Sequence, residues 1–457
     1  MTARDGQIRR NAVALAASLC AVLAVAEAGS THKIYSSTQK RRTAYDILRK
    51  ARREPQAARS PEAAEVGPIV AKARLKYTRE AGGARISWLA MQRQDTTVVK
   101  PSELREIPDD APPEPVYFTL EIGDRNVHGI TYRSTDRTRS VKLRLDTDGD
   151  GLTSDEKEYT GTWLSIFRLT RTYQFGPVST GRSGDSSGTG WCYIHCSNGQ
   201  WLMLYPARYR EGQVELDGRT HKIALVDCDY NGKYNDVFVP PAKNSRDPGC
   251  DAFGIDLDGN SKFDFNKVGE SELMPLSRLV KIGESYYGVV AAEDGSVVEF
   301  RRAKPAFGTL DLGDKDVDVR LWSDAGQQHL IGSKGKWRIP AGRYTAVELK
   351  LTERDSAGNE WTFDTSRVRG GAARGVLGDF EIPPGGTTSF QIGPPLQIKT
   401  SMEKRGRDAL VRFHLEGRAG ELYAPGALKN GKDIPEPQFQ IVAAGGQTVH
   451  SGQFEFR

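Results

Sequence analysis

The chain has 457 residues with a formal net charge of +5, and 48 of the residues are glycine. A chain of this length predicts about three domains at roughly 150 residues each, enough to bury several cores. Its apolar residues fall in short runs between turn residues, which excludes a bundle of long amphipathic helices. We expect a mainly β protein, in which a hairpin-rich β domain with acidic loops is followed by two small β-sandwich modules.

Residues 1–28 have the three parts of a secretory signal peptide. Arg9 and Arg10 precede an uncharged run over residues 12–26, and Ala26-Glu27-Ala28 fits the cleavage site. The alternative is a membrane anchor, but the run is shorter than the roughly 20 residues that a spanning helix needs. We therefore expect no transmembrane helix after cleavage, and a secreted, periplasmic or cell-surface location.

Residues 29–115 form a basic, low-order region that ends in a Pro-rich linker. Basic residues greatly outnumber acidic ones between Lys33 and Arg59. Such an arm can bind an acidic polymer, although a solvated tail that is disordered or partly helical is the simpler interpretation. Short helices are allowed at residues 43–53 and within residues 69–92. Export makes nucleic acid an unexpected partner.

Residues 116–305 form the predicted β domain, because strands lead into its acidic loops. Alternating apolar residues predict strands at 116–122 and 141–145, and the second strand runs directly into the first loop. Asp217-Gly218 predicts a hairpin with a two-residue turn. A helix-loop-helix EF-hand would instead place an amphipathic helix before the first aspartate.

The first acidic loop, residues 145–152, is the clearest candidate site. Oxygen ligands recur at positions one, three and five, a glycine follows at the sharp turn, and position seven offers a backbone carbonyl, as Ca²⁺ requires. These ligand positions are Asp146, Asp148, Asp150 and Leu152. Lys157 replaces the usual bidentate glutamate at position twelve. The last ligand is therefore expected from a nearby acid, with three candidates: Asp155, Glu156 and Glu158.

Two further loops repeat this pattern, since residues 226–235 align without a gap on residues 255–264. The second loop offers Asp227, Asp229, Asn231 and Asn235. The third loop offers Asp256, Asp258, Asn260 and Asp264. Neither loop has an acid at position twelve, so weak Ca²⁺ binding toward the millimolar range is expected. The alternative is that these strings are hairpin turns whose side chains bond their own backbone.

The first loop resembles the calcium loops of thrombospondin type 3 repeats and dockerin-like modules, which share D-x-D-G-D-G-L-T followed by acids. The order of features also resembles a group of exported bacterial β-rich proteins, largely of unknown function, with EF-hand-like D-x-D-x-[DN]-G loops between hairpins. The stretches that carry this resemblance are residues 145–152, 224–236, 255–265 and 419–426. The resemblance implies export and calcium binding, and it supplies no catalytic residues.

The C-terminal part changes to short strands at sandwich-like spacing. Residues 306–395 are predicted to form one sandwich, and residues 338–344 resemble the strand-turn-strand step of transthyretin-like modules. Residues 396–457 are predicted to form a small immunoglobulin-like module. Three tryptophans of the first module are candidates for stacking on sugars, although aromatic side chains more often fill cores: Trp322, Trp337 and Trp361.

Four cysteines follow the signal peptide, and an even number in an exported chain indicates disulfides. We favour the pairs Cys192–Cys196 and Cys228–Cys250. A thiol metal site that includes His195 is the alternative, but the C-x₂-C zinc spacing is absent.

Catalytic motifs are weak: no H-E-x-x-H, Walker loop or G-x-S-x-G elbow occurs. Residues 184–188 read G-D-S-S-G, as around a serine-protease nucleophile, but the matching histidine context is absent. We expect an exported, non-catalytic, calcium-binding structural or interaction protein whose partner is a cell-surface polysaccharide or protein. A carbohydrate-binding or adhesive protein that uses the C-terminal sandwiches is the alternative, and a secreted hydrolase is the second alternative.

Overall fold

The computed structural model describes residues 23–26, 64–78, 92–112, 115–122, 125–135, 139–164, 172–180, 191–197, 201–241, 249–263, 272–333, 335–366, 375–405, 408–424, 426–443 and 445–453. Within these residues the protein is mainly β, as expected, and its one helix is the short 3-10 turn Gly375–Gly378. Nothing in the described ranges forms a helix of the length and apolar character needed to cross a bilayer. The helix allowed at residues 43–53 lies outside the described residues.

Nineteen described strands, in chain order, make up the N-terminal two thirds. They are β1 Leu23–Ala26, β2 Ala64–Arg74, β3 Lys76–Tyr77, β4 Gln92–Asp95, β5 Val116–Ile122, β6 Arg125–Arg133, β7 Val141–Leu145, β8 Tyr159–Thr160, β9 Thr162–Leu164, β10 Thr172–Ser179, β11 Trp191–Ser197, β12 Trp201–Pro206, β13 Arg210–Leu216, β14 Arg219–Val226, β15 Ala252–Ile255, β16 Leu273–Pro275, β17 Leu279–Ile282, β18 Ser285–Ala291 and β19 Val297–Pro305.

The remaining strands belong to the C-terminal third. They are β20 Phe307–Asp311, β21 Asp316–Ser323, β22 Gln328–Gly332, β23 Lys336–Pro340, β24 Gly342–Arg354, β25 Glu360–Asp364, β26 Phe380–Ile382, β27 Thr387–Ser389, β28 Gln397–Arg405, β29 Asp408–Glu416, β30 Leu422–Tyr423, β31 Leu428–Lys429, β32 Lys432–Asp433, β33 Gln438–Ala443 and β34 Thr448–Gln453. β1 lies within the predicted signal peptide and pairs in parallel with β33.

Two sheets enclose the first core. One has the order β5-β6-β7-β8 and the other β4-β12-β11-β10-β9. Alternate residues of β5 and β7 point inward, which brings Phe118 and Leu145 against Phe175 and Ile194 of the second sheet. Tyr230 of the second acidic loop also belongs to this core.

Two more sheets, β16-β15-β14-β13-β3 and β17-β18-β19-β2, enclose the second core. The predicted hairpin is confirmed: Leu216 pairs with Arg219, and the turn residues Asp217 and Gly218 have φ values of 50° and 74°. Positive φ at both turn residues is the geometry that matches the twist of a two-residue hairpin.

Strand β2 occupies sequence for which low order or a helix was expected. It pairs with β19 at the edge of its sheet, with register shifts along the pairing. Pro68 sits in this strand, exposed, and an edge position tolerates proline because its missing amide is not needed by a further neighbour. Proline therefore misled the sequence interpretation at this strand.

Strands β20 to β26, β29 and β30 share one large core. Its longest sheet has the order β22-β21-β24-β25-β31-β32, so β31 joins the sheet of the predicted first sandwich. Leu310 and Tyr344 lie in the same apolar cluster as Leu415 and Tyr423. Side chains from both sides of the predicted module boundary, between residues 395 and 396, therefore pack in one core.

Candidate metal centres

Each acidic loop begins directly after the last residue of a strand. Asp146 follows β7, Asp227 follows β14 and Asp256 follows β15. All three aspartates are buried, with 4 to 6% of their surface exposed. The strands therefore fix the first carboxylate of each loop at the edge of an apolar core.

The backbone of each loop curls around its first carboxylate. In every loop this carboxylate accepts the amide of position six, at 3.1, 2.8 and 2.7 Å for Gly151 to Asp146, Gly232 to Asp227 and Ser261 to Asp256. The carboxylate at position three accepts the amide of position five at 3.1, 3.2 and 3.1 Å for Asp150, Asn231 and Asn260 as donors. The three loops therefore have one common architecture.

Positions four and six have positive φ in all three loops. Glycine provides it in most cases, but Tyr230 has φ 58° and Ser261 has φ 63°. A left-handed backbone is uncommon for residues with a Cβ, and it costs roughly 1–2 kcal/mol per residue. The shape of the loop is thus maintained where the local sequence does not favour it.

Each loop gathers three carboxylates, and one oxygen of each lies within 4.8 Å of the corresponding oxygens of the other two. Cluster 1 consists of Asp146, Asp148 and Asp150. Cluster 2 consists of Asp227, Asp229 and Asp251. Cluster 3 consists of Asp256, Asp258 and Glu272. Acidic groups of this kind could hold a metal ion, and carboxylate oxygens are the donors that hard cations prefer.

The local sequence pattern did not reveal Asp251 and Glu272, which complete clusters 2 and 3. Asp251 directly precedes β15, which pairs with β14, and Glu272 directly precedes β16, which pairs with β15. Both acids therefore arrive on the strand beside the one that leads into the loop. The sequence feature that marks each of these residues is an acid immediately before the next strand. A long connection separates this acid from the D-x-D pattern of its loop.

Glu156 holds the corresponding place in the first loop. In each loop, one acid from the returning chain accepts the amide of position two. The donor and acceptor pairs are Thr147 to Glu156 at 2.5 Å, Cys228 to Asp251 at 3.3 Å and Leu257 to Glu272 at 2.9 Å. Glu156 also accepts the Thr147 hydroxyl at 2.9 Å. Its oxygens lie outside cluster 1.

The other acids proposed for position twelve are placed differently. Glu158 pairs with Lys142 and, at 3.0 Å, with Arg144. Burial raises the pKa of Glu158, but hydrogen bonds from these two cations outweigh it and hold the pKa below its usual value. Asp155 is exposed and outside the cluster. Leu152 donates its amide to Asp150 at 2.7 Å.

The amide side chains support carboxylates of their own loops. Asn231 donates through Nδ2 to Asp229 at 3.1 Å and to Asp236 at 2.5 Å. Asn260 donates in the same way to Asp258 at 3.0 Å. Asn235 is exposed and is not among the clustered groups. Asp264 lies outside the described residues.

Cluster 2 is the cluster in which all three acids are at least half-buried. Asp251 is fully buried and Asp227 is 6% exposed. Burial is the main cause that raises the pKa of Asp227, and repulsion from Asp229 is the second. Burial is also the main cause that raises the pKa of Asp251, and repulsion from Asp227 is the second. Burial and then the charge of Asp236 raise the pKa of Asp229. Over the part of the chain that the structure describes, no lysine or arginine forms an ion pair with these three acids.

The described residues contain no disulfide. Cys192 and Cys196 lie four residues apart on strand β11, which separates their Cα atoms by roughly 13 Å. A disulfide needs Cα atoms within about 7 Å, so the predicted Cys192–Cys196 bond is wrong. Cys228 and Cys250 are both buried in one apolar cluster, and their pairing stays a prediction.

His195 and the tryptophans have structural surroundings. His195 shares a hydrogen bond with Gln174 at 3.1 Å, and burial lowers its pKa to about 4. Trp322 is 1% exposed and packs on Phe238, which leaves no face for a sugar. Trp337 and Trp361 pack partly buried against the C-terminal core. The G-D-S-S-G stretch lies outside the described residues.

The three loops therefore combine strand-borne carboxylates with a curled backbone, and two of them draw an acid from the neighbouring strand. The functional proposal therefore rests on the geometry of these loops. No protein-family model matches the chain, and neither a curated protein nor a solved structure is significantly similar to it.

Proposed function

We propose that the protein is an exported, non-catalytic calcium-binding protein of the cell surface or envelope, in which Ca²⁺ stiffens the β-hairpins. Cluster 2 carries the proposal. Its three carboxylates have oxygen atoms within 4.8 Å of one another, and two of them are almost fully buried. A bound divalent cation would neutralise these carboxylates in the folded protein.

The size of the repulsion between the carboxylates favours a bound cation over a hairpin turn without a ligand. One oxygen of each carboxylate lies within 4.8 Å of the others, and two unit charges at about this distance repel by about 3 kcal/mol at an effective dielectric constant of 20. Hydrogen bonds within a turn account for the contacts that Asp227 makes with its own loop. Asp251 also accepts two backbone amides of this loop, but its carboxylate is fully buried beside two other acids, and hydrogen bonds alone leave that repulsion in place.

The donor chemistry supports Ca²⁺ among the common cations. The candidate ligands are carboxylate oxygens, whereas zinc sites favour sulfur and nitrogen. The nearby thiols point elsewhere, since the Sγ atoms of Cys228 and Cys250 contact the carbonyls of Val226 and Asp251. Magnesium demands near-ideal octahedral geometry, while Ca²⁺ accepts six to eight oxygens in flexible arrangements.

The proposed role is mechanical. A cation at cluster 2 would join the end of β14, through Asp227, to the start of β15, through Asp251. A ligand that binds only the folded state at about one hundred times its Kd stabilises that state by about 2.7 kcal/mol. Calcium binding would therefore appear as a gain in stability.

Calorimetric titration with CaCl₂ and thermal melts in CaCl₂ or EGTA test the proposal. Wild-type protein should release or absorb heat and melt at a higher temperature in calcium, while Asp229→Ala should lose one binding event. Asp355→Ala is the matched control, because Asp355 bonds the amides of Ala357 and Asn359 in a hairpin turn without belonging to a cluster. Absence of both heat and a melting shift in the wild type would refute calcium binding.

A further inference from the structure

Two buried cysteines stand just beyond the facing ends of strands β14 and β15. The antiparallel register pairs Val226, at the end of β14, with Ala252, at the start of β15. Two more residue steps along each chain in the same register bring Cys228 opposite Cys250. Directly opposite residues of an antiparallel pair have Cα atoms roughly 4.5–5.5 Å apart. A disulfide takes Cα atoms roughly 4.4–6.8 Å apart, so the continued register suits a bond between these two residues.

The burial of the side chains follows the same register up to the cysteines. Alternate residues at this end of β14 and β15 belong to one apolar cluster, which also contains Cys228 and Cys250. The residues between them, such as Leu225 and Phe253, lie in the second core instead. Because side chains alternate between the two faces of a strand, both thiols lie on one face of the strand pair.

The hydrogen bonds at this end keep the two cysteine positions close. The Cys228 amide donates to Oδ1 of Asp251, the residue that follows Cys250, at 3.3 Å. The Sγ atom of Cys228 contacts the Val226 carbonyl at 3.4 Å, and that of Cys250 contacts the Asp251 carbonyl at 3.2 Å. A thiol is a weak donor, so little is lost when the two side chains turn toward each other.

We propose that Cys228 and Cys250 form a redox-sensitive cross-link that joins the two ends of residues 229–249. The thiolate of Cys228, which is 6% exposed against 0% for Cys250, attacks a low-molecular-weight disulfide and expels one of its two thiolates. Cys250 then loses its proton and attacks the Cys228 sulfur of this mixed disulfide, which expels the second thiolate. The two cysteines thus lose two electrons and two protons, and the oxidant leaves as two thiols.

The cross-link stabilises the fold without any cation. It closes residues 229–249 into a covalent loop and thereby restricts the unfolded chain, which is how the chain-entropy account explains stabilisation by disulfides. Because both cysteines are buried, the oxidant reaches them during folding or after the strand ends separate. The inference is therefore independent of the proposed calcium binding.

The test compares the full chain in two redox states. Reduced, denatured protein is refolded either in a mixture of reduced and oxidised glutathione or in a phosphine reductant, with EGTA in both. Mass spectrometry of unreduced peptides should find Cys228 joined to Cys250 within one chain in the glutathione sample. This sample should melt roughly 5 °C higher than the reduced one. Cys250→Ala should abolish the bond and the shift, whereas Cys196→Ala, the matched control, should keep both.

Three results would overturn the proposal. Thiols at both positions after refolding in glutathione would show that the two sulfurs do not meet. A bond from either residue to Cys192 or Cys196 would contradict the register. A bond between Cys228 and Cys250 without a melting shift would show that the cross-link does not stabilise the fold. The redox comparison uses the wild-type chain, so it stays decisive if Cys250→Ala does not fold.

Discussion

Asp251 accepts the backbone amide of Cys228 at 3.3 Å, although 23 residues separate them in the sequence. The same carboxylate accepts the amide of Asp236 at 2.8 Å. It therefore holds the beginning and the end of the second loop, and it also contributes to cluster 2. A residue with both tasks stabilises the loop through its hydrogen bonds and destabilises it through its charge when no cation is present.

Asp251→Asn should separate these two contributions. In EGTA we expect the variant to be more stable by about 1–2 kcal/mol, because asparagine is free of the burial cost and repulsion that raise the pKa of Asp251. This gain outweighs the loss of one hydrogen bond, which is worth about 1 kcal/mol. In calcium the order should reverse, since a ligand is missing. Chemical denaturation in both conditions measures this. Equal destabilisation in EGTA and calcium would show that Asp251 acts only as a hydrogen-bond acceptor.

Glu156 and Glu158 should differ in their effect on calcium binding. Glu156 holds the second residue of the first loop, whereas Glu158 is paired with Lys142 and Arg144. We expect Glu156→Gln to weaken binding at cluster 1 about tenfold, in the range for supporting residues of metal sites. Glu158→Gln is the matched control and should leave the affinity unchanged. Calorimetry on an Asp229→Ala, Asp258→Ala background isolates cluster 1, and the reverse ranking would contradict the assignment.

Local patterns in the sequence predicted the parts of the fold that depend on neighbouring residues. Strands at 116–122 and 141–145 were found with their observed bounds, because alternation records which face is buried. The Asp217-Gly218 turn was found because its backbone geometry suits few residue pairs. The first aspartate of each loop was also predicted, because the D-x-D pattern involves only residues of a single turn.

Pairing between strands brings together residues that are distant in the sequence, and local patterns did not reveal these features. Asp251 and Glu272 reach their clusters only because β15 and β16 pair with the strands before them. The place of Tyr423 in the same core as Leu310 is also invisible to a local pattern. The twelve positions of the second and third loops therefore contain only two of the three acids in clusters 2 and 3.

His195 should make the protein less stable in mild acid. Burial lowers its pKa to about 4 from the usual histidine value of 6.5. Because the pKa of His195 is lower in the folded protein, the unfolded chain takes up the proton first as the pH falls. The stability that neutral His195 contributes is therefore fully present above pH 6.5 and is lost as the pH falls toward 4. His195→Gln should flatten the dependence of melting temperature on pH in this window, with EGTA present. An unchanged pH profile would exclude His195 as its source.

Cys192 should resist alkylation in the folded protein. It is fully buried, and burial raises the pKa of its thiol to about 12, while the thiolate is the reactive form. Iodoacetamide at about pH 8 should therefore modify Cys192 only after denaturation, as peptide mass spectrometry can show. The same peptides report disulfides: a Cys192–Cys196 bond should be absent from folded protein, and finding one would contradict the strand geometry of β11.

Tyr230 should transmit calcium binding from the second loop to the first core. It lies between Asp229 and Asn231, has φ 58° and is 4% exposed within the core that contains Phe118. Tyr230→Ala should destabilise the protein by about 3 kcal/mol, at the lower end for a large aromatic side chain. It should also remove the calcium-dependent slowing of amide exchange in β5 while leaving that in β14.

Hydrogen exchange followed by mass spectrometry, with CaCl₂ or EGTA, compares these two strands. Tyr209→Ala is the control, because Tyr209 is half-buried beside a different core and hydrogen bonds Glu211 at 3.2 Å. Its removal should leave the effect of calcium on β5 intact. If β5 in the Tyr230→Ala variant still exchanges more slowly in calcium, the second loop does not act on the first core through this side chain.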